Sequence, residues 1–290
     1  MNGTIAFLSM DHSEGYFIYD ELCREPLAEL GWQLETVSWC RPGVEWSRYT
    51  AVVIRSTWDY HQRLPEFLAT LEQISRHTLL LNPLELVRWN ADKRYLKDLD
   101  SLGAEIVPTL WGRGFQRESL LALPTRLKSA EIVIKPRVSA NAMDTVRVTA
   151  DELGERAGTL LALYAGRDWM AQPFMRSVVD EGETSLFYFG GEFSHAVLKT
   201  PRAGDFRVQE EHGGLLRAVE AEVAMHEAAE IVMDAIPILP VYARVDLVRS
   251  PGGRFQLMEL ELIEPSLYFA LDGDAPARFA RALDRRLSSR

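Results

Sequence analysis

Three acids recur in the carboxyl-terminal third at a spacing that suits cation chemistry: Asp246 in Arg244-Val245-Asp246, then Glu259 and Glu261 in Met258-Glu259-Leu260-Glu261. In a β-strand, residues two apart face one side, so Glu259 and Glu261 project together while Leu260 faces the core. A hairpin through Pro251-Gly252-Gly253 brings Asp246 beside them. Converging carboxylates on a buried face repel one another unless a cation neutralises them, and hard oxygen donors of this kind suit Mg2+ bound together with phosphate oxygens. The bland alternative is an exposed strand with solvated glutamates.

Basic residues in apolar settings supply the complement. Lys135 closes Ile132-Val133-Ile134 ahead of Pro136, and Lys93 is expected in the first turn of a helix capped by Asn90, where backbone N–H groups favour anions. Lys199 and Arg207 flank the turn from Thr200 to Phe206, and Arg244 sits among apolar strand neighbours. Each could bind phosphate or a substrate carboxylate, and each taken singly also reads as a surface ion pair. Common nucleotide signatures are missing: there is no G-x-x-x-x-G-K-[ST] loop, and Gly112-Arg113-Gly114 lacks a third glycine at Arg117. His226-Glu227-Ala228-Ala229-Glu230 has glutamate where a helical zinc motif needs its second histidine, so it reads as a helix surface.

The elements that must position these groups follow from the apolar pattern. Ile5 to Met10, Leu34 to Trp39, Ala51 to Thr57 and Thr78 to Asn82 read as strands alternating with helices, an open parallel α/β sheet. Beyond Asn82-Pro83 the character changes. A helix through Tyr95, Leu96, Leu99 and Leu102 stops at Gly103, and strands are expected over Glu131 to Lys135, Trp169 to Phe174, Ser185 to Phe189, His195 to Lys199, Tyr242 to Val248 and Phe255 to Leu262. Covering helices are expected over Asp151 to Tyr164, Leu216 to Ile236 and Pro276 to Leu287.

The 290 residues are 47% hydrophobic and 26% charged, which places the chain among globular proteins with a sizeable core. A net charge of −10 argues against nucleic acid or an anionic membrane surface as partner. Cys23 and Cys40 lie far apart in no metal or redox motif, fitting a reducing compartment. No basic segment precedes the short run Ile5 to Met10 and no transmembrane stretch exists, so a cytoplasmic protein is expected.

Taken in order, these residues resemble the ATP-grasp superfamily, in the branch containing glutathione synthetase and the ribosomal-protein-modifying glutamate ligases. The resemblance runs from about Asn82 to Leu271 through Asp92-Lys93, Ile134-Lys135-Pro136, Gln172-Pro173-Phe174-Met175, Gly182-Glu183, Asp205-Phe206-Arg207, Gly213-Gly214, Arg244-Val245-Asp246 and Glu259-Leu260-Glu261. A narrower resemblance, to the D-cycloserine synthetase group, lies in Arg55-Ser56-Thr57-Trp58-Asp59-Tyr60-His61, Val87-Arg88-Trp89-Asn90 and Glu264-Pro265-Ser266-Leu267-Tyr268. It implies an α/β open sheet followed by an α+β ATP-grasp fold whose two subdomains clamp ATP. Residues 1–89 would form the preceding α/β domain, 90–170 the small lid subdomain, and 171–290 the C-terminal subdomain with the metal site.

The same resemblance implies roles. Lys93 and Lys135 look like the lysines on the ATP phosphates, Gln172, Pro173, Phe174 and Met175 like the strand that pairs with adenine, and Glu183 like the ribose-binding acid, with Lys199 a weaker nucleotide match. Asp246, Glu259 and Glu261 match the metal acids, with Glu261 where glutathione synthetase has asparagine, and Arg207 matches the arginine that neutralises the transferring phosphate. Arg244, Glu264, Ser266, Trp58 and Asp59 are the candidate substrate residues. ATP and Mg2+ are implied, as two ions with Mn2+ as a substitute, along with a small amino-acid-like substrate, an antibiotic-biosynthetic setting, and a homo-oligomer, dimer or tetramer. The D-cycloserine synthetase group closes O-ureido-D-serine with ATP, so the implied reaction is a carboxylate made into an acyl phosphate and captured by nitrogen. Ligation to a peptide or protein acceptor and a non-catalytic ATP-binding regulatory module are the alternatives. One departure stands out: Arg137 to Thr145, the phosphate-covering loop, contains no glycine where relatives are glycine-rich.

Overall fold

The computed structural model describes residues 2–289. Among them, thirteen strands form three sheets. The first is wholly parallel, in the order β2-β1-β3-β4, from β1 (Gly3–Ser9), β2 (Trp32–Ser38), β3 (Ala51–Ser56) and β4 (Leu79–Leu81). All six residues of β3 are buried, as a central parallel strand covered on both faces requires. Strand order reverses between β1 and β3, and the crevice beyond the carboxyl ends at such a reversal is where open α/β sheets hold ligands. Trp58, Asp59 and Tyr60 follow directly from β3 into that region.

The second sheet is antiparallel, in the order β5-β8-β6-β7, from β5 (Leu110–Arg113), β6 (Glu131–Pro136), β7 (Val146–Thr149) and β8 (Asp168–Pro173). Its helix, Ala150–Leu163, begins at a capping box: the Glu152 backbone N–H donates to Thr149 Oγ1 (3.3 Å), and the Thr149 N–H donates to Glu152 Oε2 (3.0 Å). The third sheet is antiparallel too, in the order β11-β10-β9-β12-β13, from β9 (Glu183–Phe189), β10 (Glu192–Thr200), β11 (Leu215–Val219), β12 (Tyr242–Arg249) and β13 (Phe255–Glu261). Among the described residues no helix is long and apolar enough to cross a membrane.

Two expectations need correction. The helix expected from Leu216 is a strand over Leu215–Val219, paired with β10, and the helix itself occupies only Val223–Asp234. Leu215 and Leu216 look helical only if Glu220 to Glu222 continue the turn, whereas that segment is where the chain changes direction. Nor is Asn90 an N-cap. It is the last residue of helix Leu84–Asn90, the next helix begins at Tyr95, and Lys93 lies in the link between them.

Asn90 has different work. Its Nδ2 donates to the Leu260 carbonyl (2.9 Å) and its Oδ1 accepts from the Leu262 N–H (2.9 Å). Asn82, fully buried, clasps the same strands, donating to the carbonyls of Tyr242 (3.0 Å) and Leu262 (2.8 Å) and accepting from the Val241 N–H (2.7 Å). Side-chain amides thus serve as backbone surrogates that join the segment leaving the first sheet to the ends of β12 and β13. Phe279, on the last helix Ala275–Ser288, seals the same junction, its ring centroid 6.1 Å from Phe7 of β1, 5.2 Å from Phe189 of β9 and 6.0 Å from Tyr242 of β12.

Asn82→Leu leaves three buried backbone groups unpaired, so chemical denaturation should report a loss of about 3 kcal/mol or more. His195 gives a pH dependence. Burial, with Phe187 stacked at 4.3 Å, lowers its pKa from 6.5 to about 4, outweighing the Leu267 carbonyl 3.1 Å from Nε2, which favours the protonated ring. The unfolded chain therefore binds this proton first, and the stability present above pH 6.5 is lost as pH falls towards 4, by about 3 kcal/mol in all. Thermal melts across that range should show a slope that His195→Leu reduces.

Candidate active site

Where the three sheets meet lies a cavity open to solvent, with about 1470 Å3 of empty space when the open solvent at its mouth is counted. Trp58 and Tyr60 enter from beyond β3, Lys93 from the interhelical link, and Lys135, Gln172 and Pro173 from the second sheet, with Phe174 and Met175 continuing β8. The third sheet supplies Glu183, Lys199, Arg244, Asp246, Glu259 and Glu261, and the segment after β13 adds Glu264, Ser266 and Tyr268. Arg207 comes from the loop between β10 and β11. Of the residues expected to form a site, only Asp59 is absent from the wall: its carboxylate accepts from Trp39 Nε1 (2.8 Å) and Arg63 (3.2 Å). In the irregular backbone after β3, Trp58 rather than its neighbour reaches the cavity.

Strand register makes the floor a row of alternating charge. Lys199 of β10 stands opposite Glu183 of β9, Arg244 of β12 opposite Glu261 of β13, and Asp246 between Ser185 and Glu259. Lys199 Nζ lies 2.5 Å from Glu183 and 3.2 Å from Asp246, and Arg244 Nη2 reaches Asp246 at 2.9 Å and also holds Glu261. Ser185 Oγ donates to Asp246 Oδ1 (2.5 Å), a contact that single-strand reading overlooks because it depends on which strands pair. Lys93 Nζ lies 2.7 Å from Glu259 and donates to the Ser139 carbonyl (2.8 Å) of the loop above. Gly182 starts β9 at φ +107°, and a Cβ there would meet the Lys199 carbonyl oxygen at 2.8 Å, so only glycine admits this close turn into Glu183.

The electrostatics follow from burial and pairing. Burial would raise the Asp246 carboxyl, but Arg244 and Lys199 outweigh it and hold the pKa down at about 2. Glu261 is pushed up to about 7 by burial, with Glu259 and Asp246 adding repulsion that Arg244 does not cancel. Burial also raises Glu183 despite Lys199, and lifts Glu264 well above the usual carboxylate range with Glu261 close by. Lys135, buried and without an ion pair, is pushed down. Among the described residues no three of histidine, cysteine, aspartate and glutamate stand grouped as a finished metal cage. The carboxylates are instead capped by the site's own cations.

Towards the second sheet the wall turns apolar and aromatic. Gln172 Nε2 donates to Thr109 Oγ1 (3.0 Å), and Arg147 lies 3.7 Å from the Phe174 ring centroid, with Phe206 edge-on to Phe174 at 6.2 Å. Arg207 is clamped by Asp205, Nη2 to Oδ2 at 2.8 Å. Two loop contacts lie beside the wall: the Tyr19 hydroxyl donates to the Glu210 carboxylate (3.0 Å), and Tyr16 stacks on Trp58 at 5.3 Å between ring centroids. Tyr60 and Tyr268 lie within the motifs that carry the family resemblance but were given no site role, since an aromatic at a strand end looks like packing, and Arg147, over the Phe174 ring, was not named. An apolar slot, a strip of cations and a set of hard oxygen donors in one cavity suit a nucleotide and its transfer chemistry.

Comparison with known proteins agrees. Residues 5–82 match the family model described as the D-cycloserine synthetase DcsG N-terminal domain. The cycloserine biosynthesis protein DcsG of Streptomyces lavendulae is 36% identical over 286 residues, covering 92% of each chain. The crystal structure of D-cycloserine synthetase DcsG superposes with a TM-score of 0.87 at 33% identity, over 98% of this chain and all of that one (100%). The ATP-grasp ligase PsnB complexed with minimal precursor superposes at a TM-score of 0.69 over 100% of this chain and 99% of its own, but at 15% identity it speaks for the fold alone. A RimK domain ATP-grasp protein from Sphaerobacter thermophilus does the same, at a TM-score of 0.69 and 14% identity over 96% of this chain and 98% of that one. With an ATP-grasp fold and this identity over nearly its whole length, the chain belongs to the D-cycloserine synthetase family of ATP-grasp ligases.

Proposed function

We propose that the protein is an ATP- and Mg2+-dependent ligase or cyclase acting on a small amino-acid-like molecule, which it activates at a carboxylate for capture by a nitrogen nucleophile. One observation carries this reading: a single cavity is walled both by the cations Lys93, Lys135, Lys199 and Arg207 and by the acids Asp246, Glu259 and Glu261. Two anions, a carboxylate and a triphosphate, must meet in such a reaction, and charge neutralisation with in-line positioning is what lets them.

The donor set fits Mg2+. Asp246 and Glu259 face each other across β12 and β13, and Glu261 lies two residues along on the same face, so three hard oxygen donors line one side of the cavity. In this assignment the three acids hold the metal, which supplies neutralisation of phosphate charge when bound. Lys93 and Lys135 hold phosphate oxygens, Gln172 to Met175 lie along the base, Glu183 binds the ribose and Lys199 holds Glu183 and Asp246 in place. A carboxylate oxygen of the substrate forms a bond to the γ-phosphorus as the bond to ADP breaks, with Arg207 beside the phosphoryl group. Nitrogen then bonds to the acyl carbon, its proton leaves to solvent, and inorganic phosphate departs. The covering loops, Met10 to Tyr19 and Arg137 to Thr145, keep water from the acyl phosphate.

ATP-grasp relatives crystallised with ADP and Mg support the cofactor pair, since PsnB was solved with minimal precursor, Mg and ADP. We extend the proposal to a lid unit over 90–170, which carries most of the second sheet, and a metal-bearing unit over 171–290, which carries the third, the division falling within β8. A cytoplasmic homo-oligomer with a role in antibiotic biosynthesis completes it.

Mg2+-dependent ADP release, followed by a coupled assay across amino acids, dipeptides and O-ureido-D-serine, should be stimulated by at least one member. Silence across the panel from a chain that binds ATP would overturn the ligase reading. Glu261→Gln should lower Mg2+-dependent turnover by about 100-fold or more with an unchanged thermal melt, and near-normal turnover would remove Glu261 from the metal set. Lys135→Gln should weaken a non-hydrolysable ATP analogue by about 10-fold or more in calorimetric titration, because a buried cation with no ion pair among the described residues is the one a phosphate most needs.

A further inference from the structure

Beyond β13 the chain runs through residues 262–268 outside every sheet, yet its carbonyls are all taken. Six in succession each accept from a side chain of another element: Leu262 from Asn82 (2.8 Å), Ile263 from Tyr242 (2.9 Å), Glu264 from Trp58 (2.8 Å), Pro265 from Arg55 (3.2 Å), Ser266 from Arg244 (3.5 Å) and Leu267 from His195 (3.1 Å). Ile263 and Leu267 turn to the core, each 1% exposed, while Glu264, Ser266 and Tyr268 line the cavity. The conformation of this strip of wall is imposed by the donors around it rather than by neighbouring strands.

The last of these bonds acts at a strained point. The Leu267 carbonyl and the Tyr268 N–H belong to one peptide group, and Tyr268 is carried at φ 44°, a left-handed conformation rare for an aromatic residue and kept only where the surroundings enforce it. Turning that single peptide by about 180° would bring Tyr268 into the broad extended region open to every L-residue, with the flanking Cα atoms almost unmoved. His195 opposes the turn, because a turned carbonyl points away from Nε2. The imidazole is itself held on three sides. A carbonyl oxygen only accepts, so Nε2 carries the hydrogen, and Nδ1 of the neutral ring accepts from the Ser194 hydroxyl (2.9 Å). Ser194 Oγ accepts in turn from Arg278 Nε (2.9 Å), whose Nη2 is bound by Asp272 (2.8 Å). Phe187 stacks on the imidazole at 4.3 Å and meets the Tyr268 ring edge-on at 6.0 Å between centroids.

We propose that His195 is a positioning residue of the site: in the Nε2–H form fixed by Ser194 and Arg278, it latches the Leu267–Tyr268 peptide and so keeps the Tyr268 ring in the cavity wall. This rests on the ligase reading only for calling the cavity an active site. Without the latch the peptide relaxes to an unstrained turn, the Cα–Cβ bond of Tyr268 changes direction, and the wall that Tyr268 shares with Ser266 changes shape. The last helix, Ala275–Ser288, supplies no residue of that wall, yet through Arg278, Ser194 and His195 it governs the wall's form.

Long-range proton–nitrogen NMR of the full chain tests the latch itself. Of the six histidines, the one whose ring signals vanish in His195→Gln should be neutral with its hydrogen on Nε2 at neutral pH, and an Nδ1–H or doubly protonated ring overturns the proposal. Fluorotyrosine labelling reads the consequence, the resonance missing in Tyr268→Phe identifying Tyr268 among the nine tyrosines. His195→Phe, which keeps the stack on Phe187 and loses the donor, should move that line or split it in two. His195→Gln, whose amide can donate from the same place, should leave it at its native position. A line unmoved by His195→Phe, or moved alike by both variants, overturns the proposal. Should His195→Phe fail to fold, Ser194→Ala, which keeps the imidazole and removes the bond that fixes it, decides through the same line. In turnover His195→Phe should lower kcat/KM by about 10-fold, with most of it recovered in His195→Gln, and an equal loss in both overturns the proposal. The NMR readings need neither nucleotide nor turnover, so their failure leaves the ADP-release result standing, and failure of ADP release leaves them standing.

Discussion

Everything in this molecule answers to one requirement: a row of charges lies buried between sheets, and each charge must have its opposite within reach. Glu183, Lys199, Asp246, Arg244 and Glu261 form a chain of contacts that alternates in sign over four adjacent strands, with Lys93 and Glu259 as a separate pair beside it. Removing ions from water is expensive, and only close pairing restores the balance. A shift of one residue in the β12–β13 register would turn Glu259 and Glu261 into the core and Leu260 into the cavity. The sheet therefore has little freedom in how it pairs.

That constraint explains why backbone clasps sit where they do. Asn82 and Asn90 hold the ends of β12 and β13, immediately beyond the residues whose register matters, and Tyr95 adds its hydroxyl as acceptor for the Leu260 N–H (2.9 Å). Phe279 and the rings around it fill the junction behind. The first sheet is consequently no appendage. Its exit segment is built into the third sheet.

Much of this was legible in the sequence, and what was missed shares a cause. The acids at 259 and 261 announced themselves because a two-residue period is local, and the apolar runs marked ten of the thirteen strands to within three residues, while the short strands β5, β7 and β11 went unmarked. Lys199 against Glu183, or Ser185 against Asp246, needs knowledge of which strands are neighbours, which no local pattern holds. Asn90 illustrates the same limit: asparagine before a helical pattern usually caps, yet here its amide reaches a strand 170 residues away in the chain. Leu215 to Val219 failed for the opposite reason, since apolar residues running into a helical pattern look like its first turns until a partner strand claims them. Asp59, a candidate only through the family resemblance, stands off the cavity wall because its carboxylate is held by Trp39 and Arg63, contacts that the motif around it does not reveal.

The covering loop offers a last consequence. Asn141, Ala142 and Asp144 all adopt left-handed backbone angles, φ 52°, 53° and 54°, in a segment with no glycine. Each side chain there raises the local energy by roughly 1 kcal/mol, and the conformation is kept by the Tyr164 hydroxyl donating to the Asp144 carbonyl (2.7 Å) and by Arg167 on the Asp144 carboxylate (2.9 Å). A loop braced in this way loses its conformational entropy when the protein folds rather than when a ligand arrives. Capture is then less opposed by ordering than under a slack glycine-rich cover, while each departure must work against the same stiffness, so the tempo of a catalytic cycle shifts from entry towards release.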